Sequence, residues 1–296
     1  MDTQTLDCYM RAGKIASQVR EKSKKWIVSG AKLLDAAEKI ESEITALGGE
    51  LAFPANISLN EIAAHYTPID NDSKVFQEGD MVKIDLGVHV EGYIADTAVT
   101  IYLGSDKKKL DLVDASKSAL QAAISVVRPG AKIFELSGII EATIRKSGFF
   151  PIANLTGHYL GKYIIHGAPS IPNVMNTSKA ILNEGDVIAI EPFATDGSGE
   201  VKDTSRAMIF SFIRDVSPRS DSARNIQLFA KKLNGLPFSS RSIICVKGML
   251  RENGLRELVS LGGLHTYPPL KEVVGGCISQ AEHTVIVADE PIVTTK

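Results

Sequence analysis

Apolar residues recur at helical spacing over residues 10–27 and 111–127, and a second such segment follows each, at 31–46 and 131–146. Gly48-Gly49 stands after the first pair and Ser147-Gly148 after the second, where a helix C-terminus needs a residue that tolerates the left-handed conformation. The pattern then changes. Met81-Val82-Lys83-Ile84-Asp85 and Val187-Ile188-Ala189-Ile190-Glu191 are β-branched runs that each follow a Glu-Gly-Asp, which predicts strands entered through a turn. A Gly87…Gly92 connection links Asp85 to Asp96, as in a hairpin with one carboxylate on each strand. Each half therefore reads as two helices packed on antiparallel strands, an α+β unit.

The two halves are copies of one unit. Gly30-Ala31-Lys32-Leu33-Leu34-Asp35 is echoed by Gly130-Ala131-Lys132-Ile133-Phe134-Glu135, and at the same offset Glu41, Ile44 and Gly48 meet Glu141, Ile144 and Gly148. Phe53-Pro54 with Asn56 corresponds to Phe150-Pro151 with Asn154, His65 and Pro68 to His166 and Pro169, and Asp96-Thr97 to Glu282-His283. Asp85 and Asp96 are 11 residues apart, whereas Glu191 and Glu282 are 91 apart, so about 80 residues stand inside the second hairpin. Within that insert SARNIQLFAKKL and VKGMLRENGLRELVSLGG predict helices. The expected division is a unit of residues 1–196 and 276–296, with 197–275 as a mainly helical subdomain.

Charge sharpens this division. The net charge of −2 over 296 residues excludes a global polyanion binder, but residues 200–272 carry 12 Lys/Arg against 7 Asp/Glu. Such a balance fits a solvated face better than a nucleic-acid site, and no specific DNA contact is expected. Cys8, Cys245 and Cys277 are widely spaced and form no CxxC, as expected of thiols in a reducing compartment. Neither a leader-like segment nor a run of about 18 apolar residues is present, which points to a cytoplasmic protein without a membrane partner.

The chemistry lies in the matched carboxylates. Asp85 pairs with Glu191 and Asp96 with Glu282, and neighbours such as Ile84, Ile190 and Val285 imply burial. Four ionised carboxylates cannot share a buried site without cations, and Lys83 alone, on the Asp85 face, cannot balance them. A pair of divalent ions resolves the conflict. An imidazole would complete a site for Mn, Fe, Co or Zn, and His158, which has no counterpart in the first half, is the candidate. His65 and His166 either face one cleft from opposite sides, as substrate-contacting or proton-handling groups, or mark packed turns before Pro68 and Pro169. His89 is expected to be solvated in the hairpin connection, and His283 to point away from the Glu282 face. Nothing local places His265.

Ile84-Asp85-Leu86-Gly87 with Asp96-Thr97-Ala98, Asn154-Leu155-Thr156-Gly157-His158, Ile190-Glu191-Pro192-Phe193 and Ala281-Glu282-His283-Thr284 closely resemble the methionine aminopeptidases, within the wider pita-bread metallopeptidases. Phe53-Pro54-Ala55-Asn56-Ile57-Ser58, the insert and Tyr267-Pro268-Pro269-Leu270 are similar to the type II subgroup in its archaeal form. The resemblance implies a pseudo-twofold pita-bread fold, an antiparallel sheet backed by helices, and two divalent ions. Asp96 and Glu282 would bridge them, Asp85 would hold one, and His158 with Glu191 the other. It implies removal of N-terminal methionine from nascent polypeptides with a small second residue; a monomer is expected, with the ribosome as a further partner through the basic insert. Glu191 would shuttle the proton, His65 and His166 would contact the peptide, and Phe53, Pro54 and Tyr267 would wall the methionine pocket. The alternatives are a proline-specific peptidase of the same fold and a non-catalytic binding module.

Overall fold

The computed structural model describes residues 1–204 and 206–296. Helices α1 (Thr3–Ser23) and α2 (Leu33–Ala46) pack together, as do α3 (Lys107–Ile124) and α4 (Ile133–Lys146). α1 and α3 start upstream of the apolar pattern because Asp2 and Asp106 cap them, accepting from the Thr5 and Lys109 N–H at 2.8 and 3.0 Å. The capped first turns are mostly exposed and leave no hydrophobic period. Ile27 and Val127, buried just past the helices, explain why the pattern overruns Ser23 and Ile124.

The internal repeat holds at the level of single hydrogen bonds. Gly30 and Gly130 adopt φ of +86° and +84° and donate to the Phe76 and Leu182 carbonyls, both at 2.8 Å. Phe76 and Leu182 donate in return to Ala31 and Ala131 at 2.9 and 2.8 Å. Each Glu-Gly-Asp is the expected turn, closed where Asp80 and Asp186 accept from the Gln77 and Asn183 N–H.

Strands Met81–Val90 and Tyr93–Tyr102 form the first hairpin, with Asp85 opposite Ala98 and Asp96 opposite Gly87. The two aspartates are therefore diagonal neighbours on one face. Strand Glu50–Leu59 pairs along the other edge of Met81–Val90 and bulges between Leu51 and Asn56. In the second half Val187–Ile190 pairs with His283–Ile286 across the insert, inside a five-stranded sheet. Threonines join the halves: Thr97 Oγ1 donates to the Glu282 carbonyl at 2.9 Å and Thr284 Oγ1 to the Asp96 carbonyl at 2.8 Å. This junction brings the four carboxylates together.

Residues 197–275 carry α5 (Asp221–Lys231) and α6 (Gly248–Ser260) in the two segments the sequence marks as helical. They also carry the short strands Val201–Asp203, Ile209–Phe212, Phe238–Ser239, Leu264–Tyr267 and Leu270–Glu272. Strands of two to four residues are too short to leave a period of their own. At the neck, the buried Glu272 carboxylate accepts from the N–H and hydroxyl of Ser198 (2.5 and 2.6 Å) and from the Val274 and Gly276 N–H (2.8 and 2.9 Å). Three basic residues of the insert pair with acids of the other unit: Arg241 with Glu41, Arg251 with Asp70 and Lys271 with Glu61. Cys8, Cys245 and Cys277 are free thiols. No helix among the described residues is long and apolar enough to cross a membrane.

Candidate metal centre

Asp85 and Asp96 lie on the strands of the first hairpin and His158 on strand Thr156–Gly161, while Glu191 follows Val187–Ile190 and Glu282 precedes His283–Ile286. All five line one cavity of about 240 Å³. Ligand atoms of Asp96, His158 and Glu282 lie within 4.8 Å of one another, and His158 Nε2 is 3.5 Å from Glu191 Oε1 and 3.8 Å from Asp96 Oδ2. Burial, reinforced for all but Asp85 by the neighbouring acids, holds the Asp96, Glu191 and Glu282 carboxyls well above the usual range and raises Asp85 to about 7. Burial, with His166 beside it, depresses His158 to about 3, leaving a neutral imidazole.

Among the described residues these acids have no protein cation. The Lys83 ammonium, 1% exposed, donates instead to the Ile278 and Asn60 carbonyls at 2.9 and 3.0 Å. Among the described residues no Lys or Arg pairs with Asp85, Asp96, Glu191 or Glu282. Asp85 Oδ1, Asp96 Oδ1 and Glu282 Oε2 are buried without a hydrogen-bond partner. Orphaned anionic oxygens beside a neutral imidazole fit divalent ions with mixed oxygen and nitrogen ligation.

His65 and His166 line the same cavity, with their rings 5.7 and 5.9 Å from that of Tyr267. His65 Nδ1 is 3.3 Å from the Pro268 carbonyl, which can only accept, so Nδ1 carries the proton and Nε2 is an acceptor in the neutral ring. Burial, with the neighbouring His65 and His265, lowers His166 to about 4. Phe53 and Tyr267 form part of the wall, joined by Ile209 and Pro237 of the insert.

Pro54 and His89 lie otherwise than expected. Pro54 does not line the cavity, because it sits in the bulge with its carbonyl accepting from Asn56 Nδ2 at 3.0 Å. His89 is 5% exposed and not solvated, because the tight turn folds Gly92 back so that its N–H donates to His89 Nδ1 at 3.2 Å, and Tyr163 covers the ring. Lys83 serves backbone carbonyls and not the acids. His283 does turn away, with Nδ1 2.8 Å from Thr295 Oγ1. His265 packs edge-on against Tyr267 at 4.6 Å without lining the cavity.

Sequence reading missed Gln280, Asn56, Ile209 and Pro237. Gln280 stands two residues before Glu282, a spacing that could have marked it. The Ile209 and Pro237 positions depend on how the insert folds back, and no local pattern signals that.

The model of metallopeptidase family M24 matches residues 7–219. The methionine aminopeptidase of Pyrococcus horikoshii is 47% identical over 98% of this chain and 99% of its own length. That of Methanocaldococcus jannaschii is 44% identical over the whole of both chains. Among solved structures, methionine aminopeptidase from Thermotoga maritima superposes with a TM-score of 0.75 at 23% identity, covering 100% of this chain and 98% of that one, which supports the pita-bread fold. A family match over most of the chain, near-complete relatives at this identity and a buried carboxylate–imidazole cluster agree, and the chain belongs to metallopeptidase family M24, among its methionine aminopeptidases.

Proposed function

We propose that the enzyme removes the initiator methionine from nascent proteins and peptides whose second residue is small, using two divalent ions among Mn, Fe, Co and Zn. Four buried carboxylates and a neutral imidazole without any protein cation carry this reading. Asp96 and Glu282 would hold both ions, Asp85 one, and His158 with Glu191 the other. Bound there, the ions would supply an activated water nucleophile and polarise the scissile carbonyl. Residues 1–196 and 276–296 act as the catalytic unit, and 197–275 complete its pocket. In this reading the enzyme works in the cytoplasm, as a monomer, with the ribosome as a further partner.

The side chains divide the remaining work. Glu191, ionised as a ligand and made a stronger base than an ordinary carboxylate by burial, accepts the proton lost by the nucleophile and returns it to the leaving amine. His166 donates to the oxygen that gains charge during attack. His65, protonated at Nδ1, uses Nε2 to accept from a peptide N–H. Phe53, Ile209 and Tyr267 enclose an unbranched thioether side chain.

Purified protein supplied with Mn, Fe or Co should release methionine from Met-Ala-Ser and leave Pro-Ala-Ser and N-acetylated Met-Ala-Ser intact. No release with any of these metals overturns the reading. Asp96→Asn should abolish metal loading, and Glu191→Gln should reduce turnover while preserving the fold; wild-type rates in both variants would refute the site assignment.

A further inference from the structure

Gln280 is 1% exposed and ends the strand Ile278–Gln280. Its backbone is held on both sides by Thr100, whose Oγ1 donates to the Gln280 carbonyl at 2.6 Å and accepts from its N–H at 2.8 Å. So anchored, its side-chain nitrogen lies 3.3 Å from Asp85 Oδ2 and 3.5 Å from Glu191 Oε2. Both oxygens belong to groups that accept when ionised, which assigns the nitrogen, and not the amide oxygen, to that side. Gln280 is the one side chain among the described residues that donates to both.

The choice of an amide matters chemically. A Lys or Arg in this place would repel divalent ions, and an ionised Glu would add a fifth buried negative charge. The Gln280 amide offers two N–H groups and no charge. Asp85 and Glu191 are the end ligands of different ions in the two-ion reading, on which this inference rests. We propose that Gln280 is a positioning residue for the metal pair: by donating to one end ligand of each ion, it fixes their separation and strengthens uptake of both.

The test is a calorimetric titration of metal-stripped protein with Mn²⁺, comparing wild type with Gln280→Leu, Gln280→Glu and Gln280→Asn. Wild type should take up two ions. Gln280→Leu should bind them roughly 10–100-fold more weakly, the usual effect of losing a hydrogen bond to a ligand. Gln280→Glu keeps the shape but, ionised, has nothing to donate to Asp85 or Glu191 and adds a fifth buried negative charge, so it should weaken uptake as well. Gln280→Asn, shorter by one methylene, should weaken binding without removing polarity, and it decides the matter should the Leu variant fail to fold.

Weaker uptake in the Leu variant with wild-type affinity in the Glu variant would mark a packing role and overturn the proposal. So would Leu and Asn affinities within twofold of wild type. Uptake of fewer than two ions by wild type would instead overturn the two-ion reading, and this inference with it. Because metal uptake is read without a peptide, failure of the proposed substrate preference leaves the titration intact.

Discussion

The Arg241 guanidinium of the insert grips both oxygens of Glu41 on α2, at 2.5 and 2.6 Å, with only 8% and 15% of the two side chains exposed. The same guanidinium donates to the Pro68 carbonyl at 2.9 Å and to Thr67 Oγ1 at 3.2 Å. Glu41 also accepts from the Ala55 N–H at 3.0 Å, inside the bulge beside Phe53. One ion pair thus ties the insert to the Phe53 wall and to the loop after His65. Arg241→Met leaves Glu41 buried without its counter-charge and should cost about 3–5 kcal/mol of stability. Replacing Glu41 by Leu as well should recover part of it. Urea unfolding measures both, and a loss below about 1 kcal/mol in the single variant would contradict this account of the pair.

Gly87 lies beneath the Phe53 ring, where an added Cβ would stand 2.2 Å from Phe53 Cε1 and 2.5 Å from Cδ1. Gly87→Ala should push the ring toward the cavity and lower kcat/KM for a methionine peptide about tenfold or more, the scale of a methylene misfit in an apolar pocket. Metal uptake should not change. Kinetics at unchanged metal content provide the check, and an unaltered kcat/KM would show that the ring has room elsewhere.

The carboxyls of the centre retain protons in the metal-free fold, Asp85 up to about 7 and the other three well above their ordinary range, because burial disfavours their charged forms. Divalent ions require the charged forms, so loading at pH 6 should release at least one proton per chain, and affinity should fall by about tenfold per pH unit per proton as the pH drops below 7. His158 is already neutral there and releases none. Titrations in buffers of different ionisation enthalpy count the protons; an affinity independent of pH between 5.5 and 7 would contradict the predicted protonation.

Lys83, lowered to about 7 by burial, gives folding stability a pH dependence of its own. Between pH 7 and 10 the unfolded chain holds the Lys83 proton and the folded chain does not, so this residue makes stability rise with pH by about 1.4 kcal/mol per unit. The stability difference between wild type and Lys83→Met should show that slope, while their absolute difference also includes the lost carbonyl contacts. Denaturant unfolding across this range measures it, and parallel curves would mean that the ammonium stays charged when buried.

The repeat was legible because a duplicated unit preserves the glycines that must adopt positive φ and the turn-closing aspartates, as Gly30 with Gly130 and Asp80 with Asp186 do. That internal alignment alone picks out Asp85, Asp96, Glu191 and Glu282 as equivalents. Helix starts were less legible, since a capped polar turn has no apolar period, and His89 was misjudged because a turn residue can still be covered by a distant side chain such as Tyr163.

Local patterning and duplication by themselves determined the two-helix, antiparallel-strand unit, the insertion point and the conflict among four like charges, because each is a relation between residues near in sequence or matched by the repeat. Only the tertiary structure decided where Lys83 sends its charge, that Gln280 spans Asp85 and Glu191, and that Ile209 and Pro237 of the insert join the pocket wall. Those contacts join residues up to about 200 positions apart, and their partners are set by how the halves and the insert pack, which no local period encodes.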